Sequence, residues 1–364
     1  MYSSIFADEE VLSPDYIPAV LIHRERQMRQ LHYSLRPATR GQKPIDCFIL
    51  GPPSTGKTTA VKLVFRQLQD FDNIVTCYVN CQIVKKTQQI LSIIYESLHG
   101  RRPPTHGVPF DRLFDHIFQK LLDEEKVLIV ALDDINFVVS DKTLNEMLYM
   151  FLRCHEMVDG IRIGIIAIAT DLKLKARLDP RLLYVQSEDI TFPPYGFDEI
   201  KDILNERIKW AFRCKFTEEA LNRIYELTYE NKDLRYGLKL LKLSGIIAEE
   251  KSKNRVELED VIEAVEEAEI VMIEKLLGAL NTRERLLIKV LYEMGGEADS
   301  TDLYLKLSEK IDLGDTLFKN IVRRLELYSP KKFDFKYPQT TDGLRQIDRE
   351  EDKVHCKTQE KRKN

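Results

Sequence analysis

The stretch Gly51-Pro52-Pro53-Ser54-Thr55-Gly56-Lys57-Thr58 carries the strongest chemical signal in the chain. The apolar run Cys47–Leu50 precedes it and reads as a strand. Val61, Val64, Phe65 and Leu68 follow at helical spacing. A glycine-bearing loop between strand and helix is the setting in which backbone N–H groups turn inward around phosphates. The helix N-terminus adds a favourable dipole. Lys57 is placed to reach the β- and γ-phosphates and the Thr58 hydroxyl to ligate Mg²⁺. Ser54, Thr55 and Thr59 complete the loop's ligands, with Gly51 and Gly56 as its turning points. ATP and Mg²⁺ are the cofactors this pattern calls for.

A second run, Val127–Leu132, ends in Asp133-Asp134. Its apolar residues bury a strand and deliver Asp133 to its end, where a carboxylate holds Mg²⁺ through water. A core strand ending in a solvated acidic pair is common by itself. Paired with the loop upstream, the metal reading prevails, and Asp134 becomes the candidate that polarises the attacking water.

The elements that must position these residues alternate from Ile45 to Phe192. Cys47–Leu50, Ile74–Val79, Val127–Leu132 and Ile161–Ala169 read as central strands, apolar on both faces as strands covered by helices must be, with Ile190–Phe192 as a fifth. Pro193-Pro194 punctuates the chain. Beyond it, 196–278 reads as helix only, a lid over the base. From Leu280, helical patterns at Thr282–Glu293, Ser300–Ile311 and Asp315–Leu327 lead to Phe333, Phe335 and Tyr337 alternating with Asp334 and Lys336. That order is a winged helix-turn-helix. The expected fold is an α/β P-loop domain with a mostly parallel five-stranded sheet, a helical lid and a C-terminal winged helix. The boundaries expected are a linker over 1–20, the base over 21–195, the lid over 196–278, the winged helix over 279–345 and a disordered tail over 346–364.

Composition excludes more than it selects. Apolar residues at 43% fill real cores, and a net charge of −4 argues neither for nor against nucleic acid. No run approaches the ~20 apolar residues of a membrane span. Asp8, Glu9 and Glu10 stand where a signal peptide needs positive charge. A cytoplasmic protein with reduced thiols is expected, and Cys77 and Cys81 lack a second pair at zinc spacing. Charge is uneven, however. Lys319, Arg323, Arg324, Lys331, Lys332 and Lys336 face only Glu326 and Asp334, a patch suited to phosphates.

Four further segments sharpen this plan: Leu12–Gln27, Ala169–Arg181, Ile190–Tyr195 and Asp233–Leu241. With the two nucleotide motifs, in this order and spacing, the chain from about 10 to 340 resembles the archaeal replication initiators. These are AAA+ ATPases related to the large subunit of the origin recognition complex and to the cell-division-control helicase loader. The resemblance implies His23 and Arg24 by the adenine, with Tyr195 and Arg207 completing the nucleotide pocket. It implies Arg235 as the lid arginine that touches the γ-phosphate and Arg181 as a finger offered to a neighbouring nucleotide. It also implies an insertion, here Lys86–Asp123, that contacts DNA, though this one is sparsely basic. In the winged helix, Lys319, Arg323 and Arg324 would approach the groove while Lys331, Lys332 and Lys336 hold phosphates. The implied partners are double-stranded origin DNA and the replicative helicase, with the protein a monomer or weakly self-associating on DNA.

Two departures matter. The family's Asp-Glu is Asp133-Asp134 here, followed by Asn136 instead of an acid, and a carboxylate one methylene (roughly 1.5 Å) shorter positions water poorly. The usual sensor-one Asn is Thr170. Both point to slow hydrolysis with binding intact. The expected function is an ATP-dependent replication initiator in which ATP is a slow switch. The alternatives are an ATP-bound DNA scaffold that never hydrolyses, and a clamp-loader-like ATPase whose winged helix binds protein.

Overall fold

The computed structural model describes residues 5–103, 110–138, 141–170, 174, 178, 180–183, 187–294, 298–311 and 313–328. It divides into two compact units, Met1–Val265 and Glu266–Asn364.

The first unit is built on five parallel strands: β1 (Asp46–Leu50), β2 (Ile74–Asn80), β3 (Val127–Asp133), β4 (Ile163–Ala169) and β5 (Ser187–Thr191). Their spatial order is β2-β3-β4-β1-β5, with the phosphate-loop strand β1 between β4 and β5. All five strands read from the sequence are present, within a few residues of their expected ends. Strand β3 shows why they are apolar throughout. Leu128, Val130 and Leu132 face one core with helices α3 (Thr87–His99), α4 (Phe110–Asp123) and α5 (Asp141–Leu152). Val127, Ile129 and Ala131 face the other, with α1 (Glu25–Leu35) and α2 (Lys57–Leu68). A sheet covered on both sides needs no polar face. Short helices α6 (Cys154–Met157) and α7 (Pro180–Leu183) flank β4. Cys77 and Cys81 are buried thiols, pushed up to about 11 and about 12 by burial.

A charged side chain far from the carboxyl ends of the strands is also buried in this sheet. Asp46, 2% exposed, accepts from the Ile165 backbone N–H at 2.7 Å and pairs with Lys43 at 3.3 Å. Burial nevertheless pushes its carboxyl up to about 6, against the lowering effect of Lys43 and the Ile165 N–H.

Over the base lie α8 (Phe197–Ala211), α9 (Glu218–Asn231) and α10 (Leu234–Glu250). This region is not helical only. β6 (Lys215–Phe216) and β7 (Arg255–Val256) pair in parallel beside Phe212, whose ring meets Phe216 edge-on. Two-residue strands carry no periodicity to read. The N-terminal residues also depart from a linker. Phe6 pairs with Phe212 across an antiparallel bridge, and Val11 and Leu12 are buried. Gly245 makes room for this contact, since a Cβ there would lie 2.6 Å from both Phe6 and Phe212.

The unit boundary falls within α11 (Leu258–Ala279). The second unit contains α12 (Thr282–Glu293), α13 (Ser300–Ser308) and α14 (Asp315–Tyr328). Asn281 and Glu284 form a capping box for α12, and Asp299 caps α13. On α14, Phe318, Ile321, Val322 and Leu325 are buried at helical spacing against Leu287, Val290, Leu303 and Leu307. Arg323 is thereby turned outward, and Lys319 is half-buried. The Arg324 side chain, the wing with Lys331, Lys332 and Lys336, and the tail lie outside the described residues. Among the described residues no helix is long and apolar enough to cross a membrane.

Candidate nucleotide site

The cleft where the base meets α8 and α10 has a volume of about 360 Å³. The loop after β1 forms its floor because two glycines permit close packing. A Cβ on Gly51 would sit 2.2 Å from the Phe192 carbonyl oxygen. Gly56 has φ of 90°, a left-handed conformation costly for other residues, and a Cβ there would meet the Tyr195 hydroxyl at 2.8 Å. Helix α2 starts directly after it, with no side chain capping its first turn. Ser54, Thr55, Gly56, Lys57, Thr58 and Thr59 all line the cleft, while Gly51 lies behind it.

Lys57 is buried, and its ammonium donates to the carbonyls of Gly51 at 2.8 Å and Pro52 at 2.6 Å. Burial lowers it to about 8, against the pull of Asp133 and Asp134 and with the help of Arg235. Asp133 is 3% exposed and accepts three hydrogen bonds. Its Oδ1 accepts the Asp134 backbone N–H at 2.9 Å. Its Oδ2 accepts both the Thr58 hydroxyl and the Tyr78 hydroxyl at 2.6 Å. Asp134 adopts the left-handed region, φ 53°, and faces the cleft. Burial first and then the charge of Asp133 raise its carboxyl, while Lys57 and Arg235 oppose the rise.

The remaining expected residues divide. Tyr195, Arg207 and Arg235 line the cleft. Arg207, 9% exposed, stacks over the Tyr16 ring at 4.6 Å and donates to the Val11 carbonyl at 3.4 Å. Arg235 is forked onto Asp233, with Nε–Oδ1 at 3.1 Å and a guanidinium NH₂–Oδ2 at 3.2 Å. His23 and Arg24 do not line the cleft. His23 pairs with Asp202 at 2.9 Å. Arg24, 1% exposed, donates to the carbonyls of Thr55, His23 and Pro193 and lies 3.6 Å above the Tyr195 ring. It holds the loop from behind. Thr170 is also outside the lining, its N–H and hydroxyl both donating to Asn136 Oδ1, at 3.3 and 3.2 Å. Arg181 is exposed and stands 5.3 Å from the Tyr149 ring, away from this cleft.

Sequence reasoning gave no role to Tyr78 or Asp233, and it named Asn136 only as the residue standing where an acid is usual. Tyr78 had a readable signal: Tyr78, Asn80 and Gln82 are polar at alternate positions, at the carboxyl end of β2, where parallel sheets collect ligands. The Asn136 contact had none, because it joins Asn136 to Thr170, a residue distant in sequence just beyond β4.

These residues fit a magnesium nucleotide. Lys57, Arg207 and Arg235 supply cations along one cleft, and Thr58 and Asp133 present hard oxygens side by side. Bound there, the ion would be held by these two residues and would neutralise phosphate charge.

Comparison with known proteins agrees with this geometry. Residues 20–166 match the AAA ATPase domain, and residues 201–266 match the Cdc6 AAA+ ATPase-type lid domain. The chain is 36% identical over 327 residues to ORC1-type DNA replication protein 6 of Halobacterium salinarum, covering 89% of this chain and 87% of that one. It is 37% identical over 335 residues to ORC1-type DNA replication protein 2 of Methanosarcina mazei, covering 91% and 90%. The chain belongs to the ORC1-type DNA replication proteins. Among solved structures of this family, Aeropyrum pernix ORC1 in complex with DNA is similar with a TM-score of 0.78 and 27% identity over 90% of this chain and 89% of that one. Cdc6p of Pyrobaculum aerophilum shares the fold, with a TM-score of 0.65 and 22% identity over 93% of each chain. The chain is thus an archaeal-type replication initiator with a nucleotide-binding AAA+ fold, a Cdc6-type lid and the helices of a C-terminal winged helix.

Proposed function

We propose that this initiator binds origin duplex DNA in its ATP-bound form, with ATP acting as a slow switch. The carrying observation is that Lys57, the Thr58–Asp133 pair and Arg235 converge on one cleft formed jointly by loop, strand and lid. A nucleotide bridging these elements orders them together, because each contributes a group that phosphate attracts. In this reading 21–195 is the base, 196–278 the lid and 279–345 the DNA-binding unit. Arg323 on the outward face of α14 supports duplex contact, together with the DNA held by the Aeropyrum pernix relative. Helicase recruitment and a cytoplasmic location rest on the family alone.

Slow turnover is supported by the short arm of Asp134, whose carboxylate ends about 1.5 Å short of where a Glu would place it. Its left-handed backbone turns the chain sharply just after the metal-binding Asp133. Thr170, the sensor-one position, is tied through its hydroxyl to Asn136 and lies outside the cleft lining, which also fits slow turnover.

The test measures duplex binding by anisotropy with and without ATP·Mg²⁺, for the wild type, Lys57→Ala and Arg323→Ala. Lys57→Ala should lose at least tenfold in ATP affinity, about 1.4 kcal/mol, and with it the ATP dependence of DNA binding. Arg323→Ala should weaken DNA binding and lower the salt slope by about one if it contacts phosphate. ATP-independent DNA binding would overturn the switch. Duplex binding indifferent to Arg323 would favour the protein-binding alternative for this unit.

A further inference from the structure

We propose that Asp233 is a specificity-determining restraint on the cleft: its carboxylate occupies the Arg235 guanidinium fork, and a terminal phosphate has to draw that fork away. The inference deepens the nucleotide reading above and rests on it.

Asp233 has two tasks in one side chain. As the N-cap of α10, it accepts the Arg235 backbone N–H at 3.0 Å on Oδ1. The same oxygen accepts Arg235 Nε at 3.1 Å, and Oδ2 accepts a terminal guanidinium nitrogen at 3.2 Å. The pair is a planar fork on a planar carboxylate, the geometry a guanidinium also uses for phosphate. It sits at the phosphate end of the cleft. The Arg235 backbone N–H lies 3.4 Å from Ser54 Oγ in the loop, and the Arg235 charge acts on both Lys57 and Asp134. Burial alone would raise Asp233. Its bonds to Arg235 and Ser54 and the Arg235 charge hold it below its usual value instead.

The side chains of Arg235 and Asp233 are 56% and 36% exposed, so the pair is accessible and weak enough to exchange. A γ-phosphate adds charge and three acceptor oxygens that compete for the fork. A diphosphate ends one group short and leaves Arg235 on Asp233. The restraint therefore taxes the triphosphate selectively, and its removal should change the preference between the two nucleotides. A role in capping alone would change neither.

The experiment is equilibrium titration of the full chain with ADP and with a non-hydrolysable ATP analogue, for wild type, Asp233→Asn, Arg235→Gln and the double variant. Asn keeps an oxygen to cap α10 but carries no charge. The expected result is that Asp233→Asn tightens the analogue roughly threefold to tenfold relative to ADP, and that this gain vanishes in the Arg235→Gln background. An unaltered preference, an equal change for both nucleotides, or a gain that persists without Arg235 would overturn the proposal. If Asp233→Asn fails to fold, Asp233→Ser, also neutral and able to cap, carries the same comparison. Failure of the wild type to bind either nucleotide strikes the parent reading and takes this inference with it, whereas normal binding with unchanged preference strikes this inference alone.

Discussion

The Tyr78 hydroxyl donates to Asp133 Oδ2 at 2.6 Å from the neighbouring strand, sharing that oxygen with Thr58. Burial and then this bond raise the Tyr78 phenol, so it remains a donor across the working pH range. A phenol donating here fixes the carboxylate that would hold Mg²⁺ in the proposed site. Tyr78→Phe should therefore raise the Mg²⁺ concentration that half-saturates ATP binding by about tenfold, a typical loss for an outer partner of a metal ligand. A Mg²⁺ titration at fixed ATP, followed by fluorescence, checks this. An unmoved midpoint would reduce Tyr78 to packing.

Lys57 should make ATP binding depend on pH. Its ammonium, held at about 8 by burial, is the form that phosphate stabilises. Binding therefore takes up a proton wherever the free protein has lost one. Affinity should be level below about pH 7 and fall by up to roughly tenfold per unit above about pH 8. Calorimetry in buffers of different ionisation enthalpy reads the proton directly. In Lys57→Arg the decline should disappear, because a guanidinium stays charged throughout.

For hydrolysis, Asp134 is the position to alter. Asp134→Glu restores about 1.5 Å of reach and should raise the single-turnover rate while leaving ATP affinity nearly unchanged. Asp134→Ala should abolish turnover and keep binding. If both variants hydrolyse at the wild-type rate, Asp134 is not the base and the non-hydrolysing scaffold becomes the better reading.

Asp46 gives a stability prediction far from the cleft. Its carboxyl titrates at about 6 when folded, against 3.8 for the ordinary group. The folded state thus binds more protons between those values, so stability falls as pH rises from about 4 to about 6 and the deficit persists above. The difference corresponds to about 3 kcal/mol. Asp46→Asn keeps an acceptor for the Ile165 N–H and removes the charge. It should flatten that pH slope and stabilise the protein at pH 7 by less than this amount, since Lys43 loses its pair. Urea unfolding at pH 4.5 and 7.5 tests it, and an unchanged slope would assign the dependence elsewhere.

Much of this was legible because two periodic signals and one local motif do not depend on remote contacts. Strands apolar on both faces implied a covered sheet. Gly56, Lys57 and Thr58 announced the loop wherever the rest of the chain folded. What was not legible depends on contacts between distant segments. His23 and Arg24 precede α1, and only the carbonyls of Thr55 and Pro193 show that Arg24 is a buried support. Arg235 was readable as a cation, but not its fork on Asp233, because a residue that caps a helix is not expected to hold a side chain as well. Short β6 and β7 lacked the length that makes alternation visible.

Arg24 has a mechanical consequence. One rigid guanidinium fastens the phosphate loop at Thr55 and the chain at Pro193, and clamps the Tyr195 ring beneath it. The phosphate loop and the segment that leads into α8 are therefore tied through a single buried side chain, and neither can shift without the other feeling it.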